Sequence, residues 1–224
     1  MSASLRIDVS ATEHVTALVY EAASAGRLNL RLILAHGAGS NQMSPAMTRT
    51  ATTLAERGIE TVTFNFVYSE RRKRVPDAND KLEACWRRVI EHFREVGHEK
   101  LVIGGKSMGG RIASQVSAAD AQGLAGVVLL GYPLHPPGRP ETLRAKHLPH
   151  IRLPMLFVQG EKDAFGTPEE LAPILRGLNA ELCVVEGADH SFKVAKRAAR
   201  SQAQVDEFVL NQVEAWLRRS FPTR

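Results

Sequence analysis

Residues Ile103–Arg111 read IGGKSMGGR. The stretch closes an apolar run, KLVIGG, and opens GRIASQVSAAD, which has a helical pattern. Two chemistries place glycines around such a lysine and serine. In a phosphate-binding loop, G-x-x-x-x-G-K-[ST], free backbone amides wrap the phosphates. That template needs glycine at position 100. The chain has Lys100 there, followed by Leu101, Val102 and Ile103, the body of a strand. Amides tied into a sheet cannot cradle phosphate, so the nucleotide reading is rejected. The second template is G-x-S-x-G, a sharp strand-to-helix turn that presents a nucleophilic serine. Gly105, Lys106, Ser107, Met108 and Gly109 fit it. Side chains two residues either side of the serine would crowd the turn, and Gly110 relieves the packing further. The helix start also aims its positive end at the serine oxygen, where negative charge develops.

A serine hydroxyl is a poor nucleophile until a histidine takes its proton and a carboxylate orients that histidine. Downstream, MLFVQG is followed by EKDAFG, and LCVVEG by ADHSF. Asp163 and His190 therefore each follow a strand, in the order Ser, Asp, His. Glu161 competes with Asp163, but it comes directly after the strand and is expected to face solvent. Asp189 adjoins His190, which does not supply the required geometry, and it is left out of the triad. For the oxyanion, one donor is expected from the amide of Met108. The second is expected from the loop AHGAGSNQ, where Gly37 and Gly39 let the backbone turn its amides inward. Ala38 is the first choice there and Gly39 the second, with His36 packing beneath. The remaining histidines are expected to be structural. His92 and His98 read as surface residues, His135 as a candidate pocket liner, and His147 and His150 as candidates to border the site.

Short apolar, β-branched runs alternate with helical patterns along the whole chain, which predicts a mostly parallel sheet covered on both faces. LRIDVS and VTALVYEA read as an opening hairpin, and LNLRLILAHG, IETVTFNF, KLVIGG, LAGVVLLGYPL, LPMLFVQG and AELCVVEG as further strands. Helices are expected at about 45–57, 80–96 (closing at Gly97), after Ser107, at 168–178 and at 201–219. The final helix puts Val205, Phe208, Val209, Val213, Trp216 and Leu217 on one face. Tyr68 to Asn79 reads as a polar loop with the basic run Arg71–Arg74, diluted by Asp77 and Asp80. The Pro-rich segment 135–154 is too short for a separate lid, so a single domain over residues 1–224 is expected.

The 224 residues carry 44% apolar and 24% charged side chains and a formal charge of +5, ordinary for a globular chain. The mild basic excess comes without a nucleic-acid-binding motif, so no nucleic-acid partner is expected. No run spans a bilayer and no signal-peptide core opens the chain, so a soluble cytoplasmic protein without membrane contact is expected. Cys85 and Cys183 read as two buried, reduced thiols.

Five blocks, HGAGSNQMSP, GGKSMGGRIAS, VVLLGYPLHPPGRPE, LFVQGEKDAFG and GADHSF, together resemble one branch of the α/β-hydrolases. That branch includes the testis-expressed protein thirty and the third subunit of the NSL chromatin complex, and it adjoins the dienelactone-hydrolase-like group. The resemblance implies an eight-stranded α/β-hydrolase fold, mostly parallel with an antiparallel second strand and no large lid. It also implies Ser107, Asp163 and His190 as the triad. Dienelactone hydrolases use cysteine where this chain has Ser107, which points away from a dienelactone substrate. The expected activity is a serine hydrolase cleaving small acyl esters or thioesters without metal or organic cofactor. A non-catalytic interaction module and an amide or peptide hydrolase are the alternatives. Without a lid the pocket is expected to be shallow, and the basic run 71–74 is a candidate contact for acidic substrates.

Overall fold

The structure, a computed structural model, describes residues 2–96 and 100–222. The expected closure of a helix at Gly97 and the surface placement of His98 lie outside the described residues. Strands β1 (Ser2–Asp8) and β2 (His14–Tyr20) form the opening hairpin. Then come β3 (Arg31–Ala35), α1 (Pro45–Glu56), β4 (Glu60–Phe64), α2 (Val67–Glu70) and α3 (Asn79–Glu95). The second half holds β5 (Leu101–Lys106), α4 (Met108–Ala119), β6 (Leu124–Leu130), β7 (Met155–Gly160), α5 (Pro168–Leu175), β8 (Ala180–Val185) and α6 (Gln202–Ser220). They build one eight-stranded sheet in the order β1-β2-β4-β3-β5-β6-β7-β8. β2 is antiparallel to both neighbours, and β4, β3 and β5 to β8 run parallel.

Successive strand residues point to opposite faces, and the apolar runs fill both. Leu32, Leu34, Val102, Val128 and Val158 face α1 and α6. Ile33, Ala35, Phe64 and Ile103 face α3 and α4. Val127, Leu129, Met155 and Phe157 pack against α5 and the loop between β6 and β7. The apolar stripe of α6 buries Val205, Val209, Val213, Trp216 and Leu217, with Phe208 half-buried at its margin. Each large side chain so buried contributes roughly 1.5–3 kcal/mol. Both α5 and α6 start on capping boxes, Thr167 with Glu170 and Ser201 with Gln204.

Four details differ from the sequence reading. The loop expected from Tyr68 begins with the short helix α2, because Val67 and Tyr68 are apolar enough to be buried. α5 stops at Leu175, short of 178, and Gly177 at φ 81° turns the chain toward β8. Cys85 is buried, whereas Cys183 is only half-buried. The segment 135–154 is not a free loop. Ala145, Leu148 and Ile151 anchor it in the core, around a single 3-10 turn at Leu148–His150. Among the described residues no helix is long and apolar enough to cross a membrane.

The parallel strands end on one edge, so the loops after β3, β5, β7 and β8 gather there. Those loops carry Ala38, Ser107, Asp163 and His190.

Candidate active site

The turn at Ser107 exists because β3 runs tight against it. A Cβ on Gly105 or on Gly109 would overlap the carbonyl oxygen of Ala35, and one on Gly109 would also lie 2.6 Å from that of His36. With glycine at both places the chain reverses within one residue. Ser107 takes up the strain at φ 52° and ψ −119°, a region disfavoured for any side chain. Its N–H donates to the Leu130 carbonyl at 2.9 Å, which ties the strained residue to the neighbouring strand.

The structure brings the three expected side chains into one chain of hydrogen bonds. Ser107 Oγ lies 2.8 Å from His190 Nε2, and His190 Nδ1 lies 2.7 Å from Asp163 Oδ2. A proton on Nδ1, donated to the carboxylate, leaves Nε2 free to accept from the serine hydroxyl. Asp163 is 1% exposed. A carboxylate so buried stays ionised only when its oxygens are satisfied. Here Oδ1 accepts from the Phe165 N–H at 2.8 Å and Oδ2 also accepts from Gln159 Nε2 at 2.8 Å. Glu161 is exposed and accepts from the Gly187 N–H at 2.6 Å, outside this chain. Asp189 accepts from the amides of Ser191 and Lys193, which shapes the loop carrying His190.

Gln159, Phe165 and Lys106 have roles at the site that the sequence reading missed. Gln159 is fully buried at the end of β7. Beyond Asp163 it also donates to the carbonyls of Tyr132 and Gly166 and accepts from the Tyr132 N–H at 2.7 Å. Its signal was a polar residue inside the apolar run MLFVQG. Phe165 lies against the His190 ring with centroids 4.2 Å apart. Lys106 donates to the His190 carbonyl, and its Nζ stands 4.7 Å over the Phe192 ring. Burial pulls its ammonium down to about 8, against the pull of Asp163 and Asp189.

In the loop after β3, His36 is fully buried, as expected. Nδ1 donates to the Gly37 carbonyl at 2.8 Å and Nε2 accepts from the Phe66 N–H at 3.3 Å. Burial lowers its pKa to about 4, so the ring is neutral. Gly39 sits at φ 69°, and the Tyr68 hydroxyl donates to the Gly37 carbonyl at 3.5 Å. The Ala38 amide has no hydrogen-bond partner among the described residues. Ala38, Ser107, Met108 and His190 line one cleft of about 1180 Å³. Residues of α1, of α6 and of the segment after His190 wall it without a lid.

His135, His147 and His150 do not line the cleft. His135 is buried with Nε2 3.3 Å from Glu170 Oε1, and His147 contacts Ser114 Oγ at 2.7 Å, both packing the loop between β6 and β7. His92 is half-buried against Phe93. None of Arg71–Arg74 lines the cleft, and Arg71 pairs with Glu13 at 2.6 Å. Burial pushes Cys85 up to about 12 and Cys183 to about 11, so neither thiol competes as a nucleophile.

The family model described as an alpha/beta hydrolase domain matches residues 29–218. The chain belongs to the α/β hydrolases. Among solved structures, a lidless α/β serine hydrolase from Xanthomonas campestris is similar, with 20% identity and a TM-score of 0.78 over 100% of this chain and 96% of the other. An α/β serine hydrolase homologue from Coxiella burnetii is 18% identical, with a TM-score of 0.74 over 94% and 97%. A dienelactone hydrolase from Anabaena variabilis is 19% identical, with a TM-score of 0.71 over 98% and 97%. At these identities the likeness to other α/β hydrolases is one of fold.

Proposed function

We propose that this α/β hydrolase is a serine hydrolase of carboxylic esters or thioesters. The observation that carries the reading is the strained Ser107 with Oγ 2.8 Å from His190 Nε2, while Nδ1 is held 2.7 Å from Asp163. His190 Nε2 takes the serine proton as Oγ adds to the substrate carbonyl. The carbonyl π electrons move to oxygen, and that oxyanion accepts hydrogen bonds from the amides of Met108 and Ala38. Met108 opens α4, so its N–H has no intrahelical acceptor. Ala38 lines the cleft beside Ser107 and Gly39 does not, which favours Ala38 as the second donor. Collapse of the intermediate expels the alcohol or thiol, which takes the proton from His190. Water then repeats the sequence on the acyl-enzyme and frees Ser107. Asp163 holds the imidazole and stabilises its charged form without becoming protonated. The five sequence blocks support a narrower kinship with the testis-expressed protein thirty branch.

The test is intact-mass labelling with a fluorophosphonate, beside Ser107→Ala and His190→Ala. One adduct on the wild type, lost in both variants, is the expected result. Well-folded wild type that takes no adduct overturns the reading.

A further inference from the structure

The cleft crosses the edge of the sheet, so its two walls come from different layers. One wall is apolar, with Met47 from α1 and Val209 and Leu210 from α6. The other holds Asn79 and Leu82 from α3, Arg111 from α4 and Arg144 from the loop between β6 and β7. Of the other charges in the cleft, Lys193 is exposed and has no ion pair among the described residues, whereas the rest are engaged. Arg49 pairs with Asp206, and Asp77 accepts from the Tyr68 N–H at 3.0 Å and stands 4.0 Å from Lys81. Arg111 and Arg144 form no ion pair among the described residues.

Arg111 is positioned by neutral groups. Its Nη1 donates to Asn79 Oδ1 at 3.0 Å and Gln115 Oε1 at 3.1 Å, which leaves the rest of the fork unoccupied. Glu83, whose charge reaches Arg111, is itself paired with Arg87 at 2.5 Å. Arg144 is pinned through its backbone. Its N–H donates to the Leu134 carbonyl at 2.7 Å, and its carbonyl accepts from the Tyr132 hydroxyl at 2.6 Å. Its guanidinium has no hydrogen-bond partner among the described residues. The two guanidiniums act on each other. Burial and then the charge of Arg144 lower the pKa of Arg111. Arg111 also sits in the opening turns of α4, where the helix end is positive and a cation is disfavoured. Such a concentration of unneutralised positive charge costs stability, and an anion placed there relieves it.

We propose that Arg111 and Arg144 form an anion-binding subsite, and that the substrate is an acyl ester or thioester carrying a carboxylate or phosphate group that docks there. The Arg111 N–H donates to the Ser107 carbonyl at 3.0 Å, so its backbone stands about one helical turn past the nucleophile, and Ser107, Arg111 and Arg144 line the same cleft. The apolar part of the substrate lies along Met47, Val209 and Leu210. The inference rests on the serine-hydrolase reading for the reacting group, but not for the anion site itself.

The test compares kcat/KM for three p-nitrophenyl esters: valerate, the glutarate monoester and 4-phosphonobutyrate. Wild type is expected to favour one anionic ester over valerate by about tenfold or more, and the favoured one identifies carboxylate or phosphate. Arg111→Gln and Arg144→Gln are expected to shrink that ratio through KM, and the double variant to bring it to about one. Arg219→Gln, which removes an equal surface charge, leaves the ratio unchanged. Calorimetry on Ser107→Ala with glutarate and with inorganic phosphate reads the subsite without turnover, and binding is expected to vanish in the double arginine variant. Equal rates for all three esters in wild type, or a preference that survives the double variant, overturns the proposal. Failure of fluorophosphonate labelling with intact anion binding sinks the hydrolase reading alone.

Discussion

Asp163, buried behind His190, and the Arg111–Arg144 pair, which lines the cleft, carry the charges of two regions that the fold treats in opposite ways. The carboxylate is 1% exposed, and its oxygens accept from His190, Gln159 and the Phe165 amide. The guanidiniums are half-buried, one held only by neutral amide oxygens and the other by no side-chain bond among the described residues. A charge that must hold a histidine through a reaction is fixed on every side. A charge that must accept a ligand is positioned and then left unneutralised. Binding energy stays available for an occupant only in the second arrangement.

The largest effect belongs to the fixed region. Ser107→Ala or His190→Ala is expected to lower kcat for any cleaved ester by about 10⁶-fold, and Asp163→Asn by about 10⁴-fold. Steady-state kinetics on p-nitrophenyl valerate measure this. Similar losses from an arginine substitution would erase the contrast between the regions. Next comes the support of Asp163. Gln159→Leu removes one donor to the carboxylate and strands the Tyr132 amide, so stability is expected to fall by about 1–3 kcal/mol in urea unfolding. Its kcat should fall about tenfold or more with KM little changed, the reverse of the arginine variants.

A smaller effect sharpens the open region. The anionic-ester preference carried by Arg111 and Arg144 is expected to decline as salt rises from about 0.01 to 1 M, because half-exposed charges are screened. The valerate rate serves as the reference. A last effect lies outside both regions. Burial lowers His36 and His147 to about 4 from 6.5. Between those values the unfolded chain binds more protons than the folded one, so stability falls as pH falls from 6.5 toward 4. Urea midpoints at pH 7 and pH 4.5 read this loss, and His147→Gln should reduce its slope.

The sheet was legible because short β-branched runs and glycine stops have a local cause, and all eight strands fall on such runs, whereas the pairing of β2 with β4 is a long-range contact. Ser107, Asp163 and His190 could be chosen because each follows its own strand, and parallel strands end on one edge. What the sequence could not show depends on contacts between distant segments. Gln159 reads as one more residue of a strand until Tyr132, Asp163 and Gly166 surround it. Arg144 sits in a Pro-rich stretch that looked loose, and Ala145, Leu148 and Ile151, three apart but interrupted by Pro149, are what anchor it. The run Arg71–Arg74 attracted notice by its density, yet Arg71 spends its charge on Glu13, while two isolated arginines face the cleft. Composition marks charge; only packing says whether that charge is already neutralised.

The cleft that crosses the sheet edge has a mechanical consequence. Helices α1 and α6 touch each other, as do α3 and α4, and the sheet is the partition between the pairs. An occupant reaching from Val209 to Arg111 clasps the two pairs around the rim of that partition. Its binding energy then opposes their separation, so backbone amides of α4 and α6 gain protection from hydrogen exchange as a unit when the cleft is filled.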